Sequence, residues 1–264
     1  MENEAMPDEG NNLDELIDRL FIERGERATI PDRLEDKRDL LRTLMNIRLP
    51  EPIAPDTLKL QDEELLRQRK ERGDVSPAAL PAIPSYPRIK LWRGDIRRLT
   101  ADAIVNAANS AMLGCFAPLH NCVDNLIHSA AGMQIREECS KIMAGKEASV
   151  GEAIETSAGN LPSRKIYHVV GPRVAGELPT KQDRESLALA YKNCLKLSAK
   201  NKDASLAFCC LSTGIFRFPQ DEAAKIAINT TKNFLAGNDF PQIVIFDVYT
   251  DKDYQIYAEL LNYA

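Results

Sequence analysis

Along the front third of the chain, apolar side chains recur at the three- and four-residue spacing of a single helix face. Leu13, Leu16, Ile17, Leu20 and Phe21 form one such set, and Leu40, Leu41, Leu44 and Ile47 form a second after Arg33. The spacing predicts two short amphipathic helices. A third is expected from about Asp56 to Arg72, stopping at Gly73, with Leu58, Leu65 and Leu66 on one side and a densely charged, solvated face on the other. Pro77, Pro81, Pro84 and Pro87 follow within eleven residues, too close together for a helix or a central strand. An extended linker is therefore predicted ahead of a main domain that begins near Arg88.

From Arg88 the pattern changes to short β-branched or apolar runs separated by helical stretches. Six strands are predicted, at Ile89–Trp92, Ala103–Asn106, Ala153–Thr156, Lys165–Val170, Leu206–Leu211 and Ile243–Val248. Helices are expected at about Val123–Ala144, Arg184–Lys200, Glu222–Leu235 and Tyr254–Leu261. Such interleaving argues for the α/β class, with a mostly parallel or mixed sheet and helices on both faces. Ligands of such folds sit beyond the carboxyl ends of the strands, in the loops that leave them. Asn106–Asn125, Ser157–Leu161 and Ser212–Phe218 are the polar segments at those ends.

At 264 residues and 44% hydrophobic content, the chain suits one ordinary domain plus something smaller. The net charge of −5 is unevenly spread, with 13 basic and 20 acidic side chains in 1–87 against 21 and 19 in 88–264. Neither part has a basic block or the aromatic and arginine interleaving of strand-binding surfaces. A nucleic-acid polymer is thus a poor partner, although a single nucleotide stays open. The acidic N-terminus lacks an apolar signal core and no run is as long as a membrane span, which predicts a soluble cytoplasmic protein with no membrane contact. The acidic stretch Met1–Asn12 and the connection Glu177–Lys181 are expected to be variable surface. The six cysteines show no disulfide-framework spacing. Cys139, Cys194, Cys209 and Cys210 lie in apolar or helical patterns and are expected to be small buried hydrophobes.

Cys115, His120 and Cys122 fall within eight residues, with Asp124 just beyond. Two thiols and one imidazole make three metal ligands, one short of a closed structural zinc site, and leave a position for water or substrate. The bland alternative is two buried cysteines beside a chance histidine. Mixed thiolate and imidazole ligands favour zinc, with copper and iron left open. Ser212, Thr213, Gly214, Ile215 and Phe216 lie between a buried strand and a helix, where successive backbone N–H groups can converge on a phosphate. The same S-T-G is also an ordinary turn. Asp221 and Glu222 in the helix's first turn would repel an anion, so a phosphate is expected on the loop amides. The Asp95 carboxylate can accept a hydrogen bond from an adenine amino group or, more plainly, cap a turn. The amides of Asn106 and Asn109 suit sugar hydroxyls or can close a turn through their own backbone, the second being expected for Asn106. His168, inside an apolar strand, is expected to be a satisfied core histidine.

Taken together, several segments resemble a macrodomain, the ADP-ribose-binding fold. They are G-D-I at Gly94–Ile96, I-V-N-A-A-N at Ile104–Asn109, I-H-S-A-A-G at Ile127–Gly132, G-E-A-I-E-T at Gly151–Thr156, L-P-S-R-K-I-Y-H-V-V-G-P at Leu161–Pro172 and S-T-G-I-F-R-F-P at Ser212–Pro219. Where most macrodomains carry a glycine-rich loop, this chain has G-C-F-A-P-L-H-N-C-V-D, which resembles the zinc-dependent branch of protein-ADP-ribose hydrolases. R-T-L-M-N-I-R-L-P-E-P at Arg42–Pro52 resembles the helical N-terminal extension of that branch. The resemblance implies a three-layer α/β/α macrodomain with a central six-stranded mixed sheet over 88–264, preceded by a helical extension and proline-rich linker over 1–87. It implies adenine held by Asp95 and Ile96 with Tyr249 stacked on it, and Ser212, Thr213, Gly214, Ile215 and Phe216 around the diphosphate and proximal ribose. Asn109, Cys122, Val123 and Asp124 would lie beside the distal ribose, and Cys115, His120 and Cys122 would ligate one zinc ion. His128 matches a helix histidine of macrodomains that lack the metal and is not counted as a ligand. Arg217 replaces the small residue that many macrodomains carry, and is expected either to contact the diphosphate or to point into solvent.

These implications assemble into a hydrolase that removes mono-ADP-ribose from modified protein side chains, with Asn109 and Asp124 as its catalytic residues. An acyl ester to Asp or Glu is the expected linkage. Two rivals stay open: a module that only binds ADP-ribose while a metal braces its loop, and a hydrolase of a small ADP-ribose ester metabolite. A zinc nucleobase deaminase is set aside, because it needs H-x-E with P-C-x-x-C and neither occurs.

Overall fold

The computed structural model describes residues 9–27 and 29–263. Three helices open it: α1 (Glu9–Glu23), α2 (Leu34–Ile47) and α3 (Pro55–Arg72). The expected acidic tail Met1–Asn12 is thus already helical from Glu9, and its residues 1–8 lie outside the described part. Leu13, Leu16, Ile17 and Leu20 of α1 bury themselves against Leu41, Leu44 and Met45 of α2 and Leu65 of α3, in a small core that Met133 joins from the main body. Helix α3 opens on Pro55 and Asp56 and closes on Arg69, Lys70 and Arg72, the charge order that the helix dipole favours. Its faces differ from the pattern: Leu66 is exposed, whereas Gln61 and Glu64 are buried. Arg38 at 2.8 Å and Arg67 at 2.9 Å hold Glu64, and the Met133 amide donates to Gln61 at 2.7 Å. A polar side chain goes inside wherever partners wait for it.

The proline-rich segment is packed rather than a free linker. Leu80 and Ile83 enter the main core, and the Lys90 ammonium donates to Pro77 O at 2.8 Å and Leu80 O at 2.7 Å. Prolines forbid a helix or a ladder but not burial, and carbonyls with no backbone partner take a side-chain donor instead.

Six strands follow: β1 (Ile89–Arg93), β2 (Ala103–Ala108), β3 (Ala153–Ser157), β4 (Lys165–Val170), β5 (Ser205–Phe208) and β6 (Ile243–Val248). They form one sheet in the order β1-β6-β5-β2-β4-β3, parallel throughout except for β3 against β4, so the sheet is mixed. The near-continuous apolar runs of β2, β4, β5 and β6 follow from coverage on both faces. Helices α4 (Val123–Ala131), α5 (Met133–Met143), α6 (Lys181–Asn201), α7 (Gln220–Leu235) and α8 (Asp251–Leu261) supply that coverage and complete a three-layer α/β/α sandwich.

Two boundaries differ from the pattern. The single helix expected over Val123–Ala144 breaks at Gly132, where φ is 110°, a backbone conformation that L side chains rarely adopt. Glycine takes that conformation without steric cost. Strand β5 stops at Phe208 instead of Leu211, because its ladders to β2 and β6 end there. Cys209 and Leu211 stay buried beyond it, so packing kept the run apolar where pairing had ceased. Cys139 and Cys194 are buried as expected, but Cys210 is only half-buried.

Candidate active site and metal centre

Strands β1, β6, β5 and β2 are adjacent and parallel, so the loops that follow them leave one rim of the sheet side by side. With strands about 4.8 Å apart, the rim spans roughly 14 Å from β1 to β2, a length suited to an extended nucleotide. Along it stand Gly94–Arg98 after β1, Tyr249 after β6, the loop 209–219 after β5 and the loop 109–122 after β2.

The loop after β2 winds tightly through positive φ at Met112, Gly114 and Leu119. At Gly114 φ is 77° and a Cβ would stand 2.8 Å from His128 Cγ, so the loop lies flat on that imidazole only because the side chain is missing. The winding brings one donor atom each of Cys115, His120 and Cys122 within 4.8 Å of one another, with Cys115 Sγ 3.5 Å from His120 Nδ1. Cys122 caps α4, its sulfur accepting from Asn125 N at 3.4 Å, at a helix end that favours a thiolate. Burial pushes the Cys122 thiol up to about 11 and the Cys115 thiol beside it adds to the rise. A divalent cation reverses that logic by drawing the proton away. Among the described residues no fourth His, Cys, Asp or Glu joins the group. The donor set fits a borderline-soft cation with one coordination position left open, zinc foremost.

Asp124 lies beside this loop in the first turn of α4. Its buried carboxylate accepts from Asn106 Nδ2 at 2.7 Å and from Asn109 Nδ2 at 3.4 Å. Asn109 also donates to Gly114 O at 3.0 Å, which ties the loop to the carboxylate. Burial raises the Asp124 carboxyl to about 6, against the lowering effect of the Asn106 hydrogen bond and the Arg136 charge. Asn106 therefore does not close its own turn as expected. It reaches across to Asp124, and the signal for this was a lone amide within a buried apolar strand, where it needs a partner.

His128, Cys139 and His168 form a second, wholly buried cluster whose potential donor atoms also lie within 4.8 Å of one another. Its chemistry is that of a core, because both nitrogens of His168 are already used. Thr156 Oγ1 donates to Ser157 O at 2.9 Å and therefore accepts from His168 Nε2 at 2.9 Å, while Asn106 Nδ2 donates to Nδ1 at 3.1 Å. Burial pushes the His168 imidazole down to about 3 and keeps it neutral. His168 is the satisfied core histidine expected from its strand.

At the β1 end, Ile96 is buried and Asp95 caps the short turn Ile96–Arg98 by accepting from Arg97 N at 3.0 Å. The Arg97 guanidinium also binds that carboxylate, at 2.7 and 2.9 Å. Burial alone would raise the Asp95 carboxyl, but the Arg97 contacts and charge bring it below its ordinary value. Neighbouring Asp247 on β6, which the pattern did not single out, is buried with Oδ1 unpartnered among the described residues. Burial and then the Asp95 charge push its carboxyl well above the usual range. Tyr249 is 82% exposed and Ile215 69%, two large apolar faces left open along the rim.

In the loop after β5, Ser212 and Arg217 adopt φ of 65° and 57°, a conformation that costs L-residues energy and gathers at functional sites. A Cβ on Gly214 would meet open space, while Thr213 Oγ1 donates to Cys210 O at 3.2 Å. Arg217 is an exposed residue. Its guanidinium donates to Val174 O at 3.3 Å and Ala175 O at 3.5 Å, and so fastens the loop to the segment after β4.

A family model for the macro domain matches residues 105–227. A protein-ADP-ribose hydrolase of Treponema medium is 42% identical over 237 residues, covering 88% of this chain and 90% of its own. One of the same name from Staphylococcus aureus strain Mu50 is 39% identical over 259 residues, covering 95% of each chain. The chain belongs to the macrodomain family of protein-ADP-ribose hydrolases. Among solved structures, the Oceanobacillus iheyensis macrodomain with ADP matches at a TM-score of 0.61 and 38% identity, over 66% of this chain and 90% of that one. The Trypanosoma brucei macrodomain in complex with ADP-ribose matches at 0.66 and 28%, over 83% and 94%.

Four further residues of this macrodomain reach the ligand loop without having been singled out in the sequence: Arg42, Asn46, Asn125 and Arg136. Arg42 and Asn125 lie among polar as well as apolar helix neighbours, and a polar side chain does not tell what it meets.

Proposed function

We propose that this macrodomain hydrolyses mono-ADP-ribosyl groups from modified protein side chains and releases ADP-ribose, with one zinc ion held by Cys115, His120 and Cys122. The observation that carries the reading is the convergence of those three donor groups within 4.8 Å, at the β2 end of the rim and beside Asp124 and Asn109. Zinc supplies Lewis-acid polarisation and an open coordination position there. Asn109 orients the distal ribose, with Cys122 and Val123 against it. Asp124, fixed by Asn106 and Asn109, positions the attacking water and takes its proton. At the other end Asp95 and Ile96 hold adenine and Tyr249 stacks on it, while the amides from Ser212 to Phe216 wrap the diphosphate. The names of the Treponema and Staphylococcus relatives and the ADP-ribose complex of the trypanosomal macrodomain support ADP-ribose as the ligand. An acyl ester to Asp or Glu is the linkage that suits one metal and one carboxylate, since a carboxylate leaves without a dedicated acid. In this reading residues 88–264 carry the site and 1–87 form the helical extension.

The test measures metal content together with ADP-ribose release from protein carrying acyl-, serine- or arginine-linked ADP-ribose. Native protein is expected to hold one zinc per chain and to prefer the acyl substrate, Cys115→Ala to lose both metal and turnover, and Asp124→Ala to keep the metal but lose turnover. Full turnover by metal-free Cys115→Ala removes the zinc mechanism. Tight ADP-ribose binding without turnover by the native protein selects the binding module instead.

A further inference from the structure

Helix α2 ends against the ligand loop, and its polar side chains are engaged there. Arg42 Nη2 donates to His120 O and to Asn125 Oδ1, both at 2.7 Å, and Arg42 Nε donates to the same amide oxygen at 3.2 Å. Asn125 is wholly buried and donates to Cys115 O at 3.3 Å and Ala117 O at 2.9 Å, while its backbone N–H meets Cys122 Sγ at 3.4 Å. One guanidinium and one asparagine together touch all three residues of the donor set. A turn later on α2, Asn46 accepts from Leu119 N at 3.1 Å and donates to Ser129 Oγ at 2.9 Å. Arg136 closes the other side. It donates to Leu113 O at 2.7 Å and to the α2 carbonyls of Met45 at 3.0 Å and Asn46 at 2.9 Å, with its guanidinium 4.1 Å over the Phe116 ring.

A helix that merely covered the sheet would meet it through apolar contacts, and one that recruited a partner would leave its arginine in water. Here the polar groups are spent on the backbone of an irregular loop, whose ordering carries a conformational entropy cost. We infer that Arg42, acting through Asn125, is a positioning residue for the metal centre, so that α2 is part of that centre. The inference rests on the zinc reading above. Partners of this kind orient ligands, and removing one typically weakens metal binding by about 10–100-fold.

The full chain is compared as native protein, Arg42→Ala, Arg42→Lys and Arg38→Ala, each loaded with zinc and titrated against a chromogenic chelator. The same proteins, stripped of metal, are followed by hydrogen exchange. Arg42→Ala is expected to bind zinc about 10–100-fold more weakly. Arg42→Lys falls between, because an ammonium cannot fork across two acceptors as a guanidinium does. Arg38→Ala cuts the α2 pairs with Glu64 and Glu71, away from the loop, and keeps native zinc affinity. In the metal-free proteins, Arg42→Ala speeds exchange at amides 115–122 and leaves α6 protected. Native zinc affinity and native loop exchange in Arg42→Ala overturn the inference. So does an equal loss of affinity in Arg38→Ala, which would make general loosening of the extension the cause. Native protein that binds no zinc fails the metal reading separately, and loop exchange then decides whether Arg42 positions this segment.

Discussion

The hydrogen that Gly114 carries in place of a side chain decides how the ligand loop lies on His128. With φ at 77° and a would-be Cβ 2.8 Å from the imidazole, Gly114→Ala is expected to destabilise the fold by roughly 1–3 kcal/mol and to lower zinc content. A lower urea midpoint checks this, and an unchanged midpoint contradicts it. Tyr249 presents the opposite case, an aromatic ring 82% exposed that supports nothing in the fold. Tyr249→Ala should leave stability unchanged and weaken ADP-ribose binding by about 1–3 kcal/mol, the worth of one stacked base. Titration calorimetry reads this directly, and native affinity would take Tyr249 away from the adenine end. Asp95 was legible as a cap because the cap lies two residues away in sequence, at Arg97. The link from Asn106 to Asp124 was not, because it joins two separate elements.

At the scale of elements, local chemistry set starts and stops where the signal lay inside the segment. Thr180 and Asp183 form a capping box that opens α6, and the side chains answer each other's backbone across that first turn. Thr180→Ala is expected to cost about 1 kcal/mol in chemical unfolding with turnover unchanged, since its hydroxyl serves only that helix end. A larger loss, or a loss of turnover, would mean that this end braces the rim. Elsewhere elements depended on neighbours. Gln61 of α3 accepts from the Met133 amide where α5 begins, and β5 stops where β2 and β6 cease to pair with it. The charged face of α3 hides Glu64 because Arg38 on α2 is there to meet it.

For the molecule as a whole, the buried neutral His168 makes stability depend on pH. Unfolded, the imidazole takes a proton near 6.5, and folded only near 3, so the unfolded chain binds more protons in between. Its contribution is complete above the unfolded value and is lost as pH falls through that window. Asp124, raised to about 6, gains stability as pH falls and buried His128 loses it, so the His168 share is read by difference: from pH 7.5 to pH 5, His168→Gln is expected to lose about 2 kcal/mol less than the native protein in urea unfolding. The same pH dependence in His168→Gln as in the native protein would contradict a neutral imidazole in the core. Among the described residues no helix is long and apolar enough to cross a membrane. What the sequence by itself determined was the series of strands and helices, the family resemblance, and the gathering of Cys115, His120 and Cys122 within eight residues. Periodicity and short spacing are local, and a side chain's burial is written into the residues beside it. Only the tertiary structure decided that Asn106 meets Asp124, 18 residues on, and that Arg42 grips His120 across 78. Such pairs form when separately folded segments dock, and a polar side chain by itself carries no record of which partner will reach it.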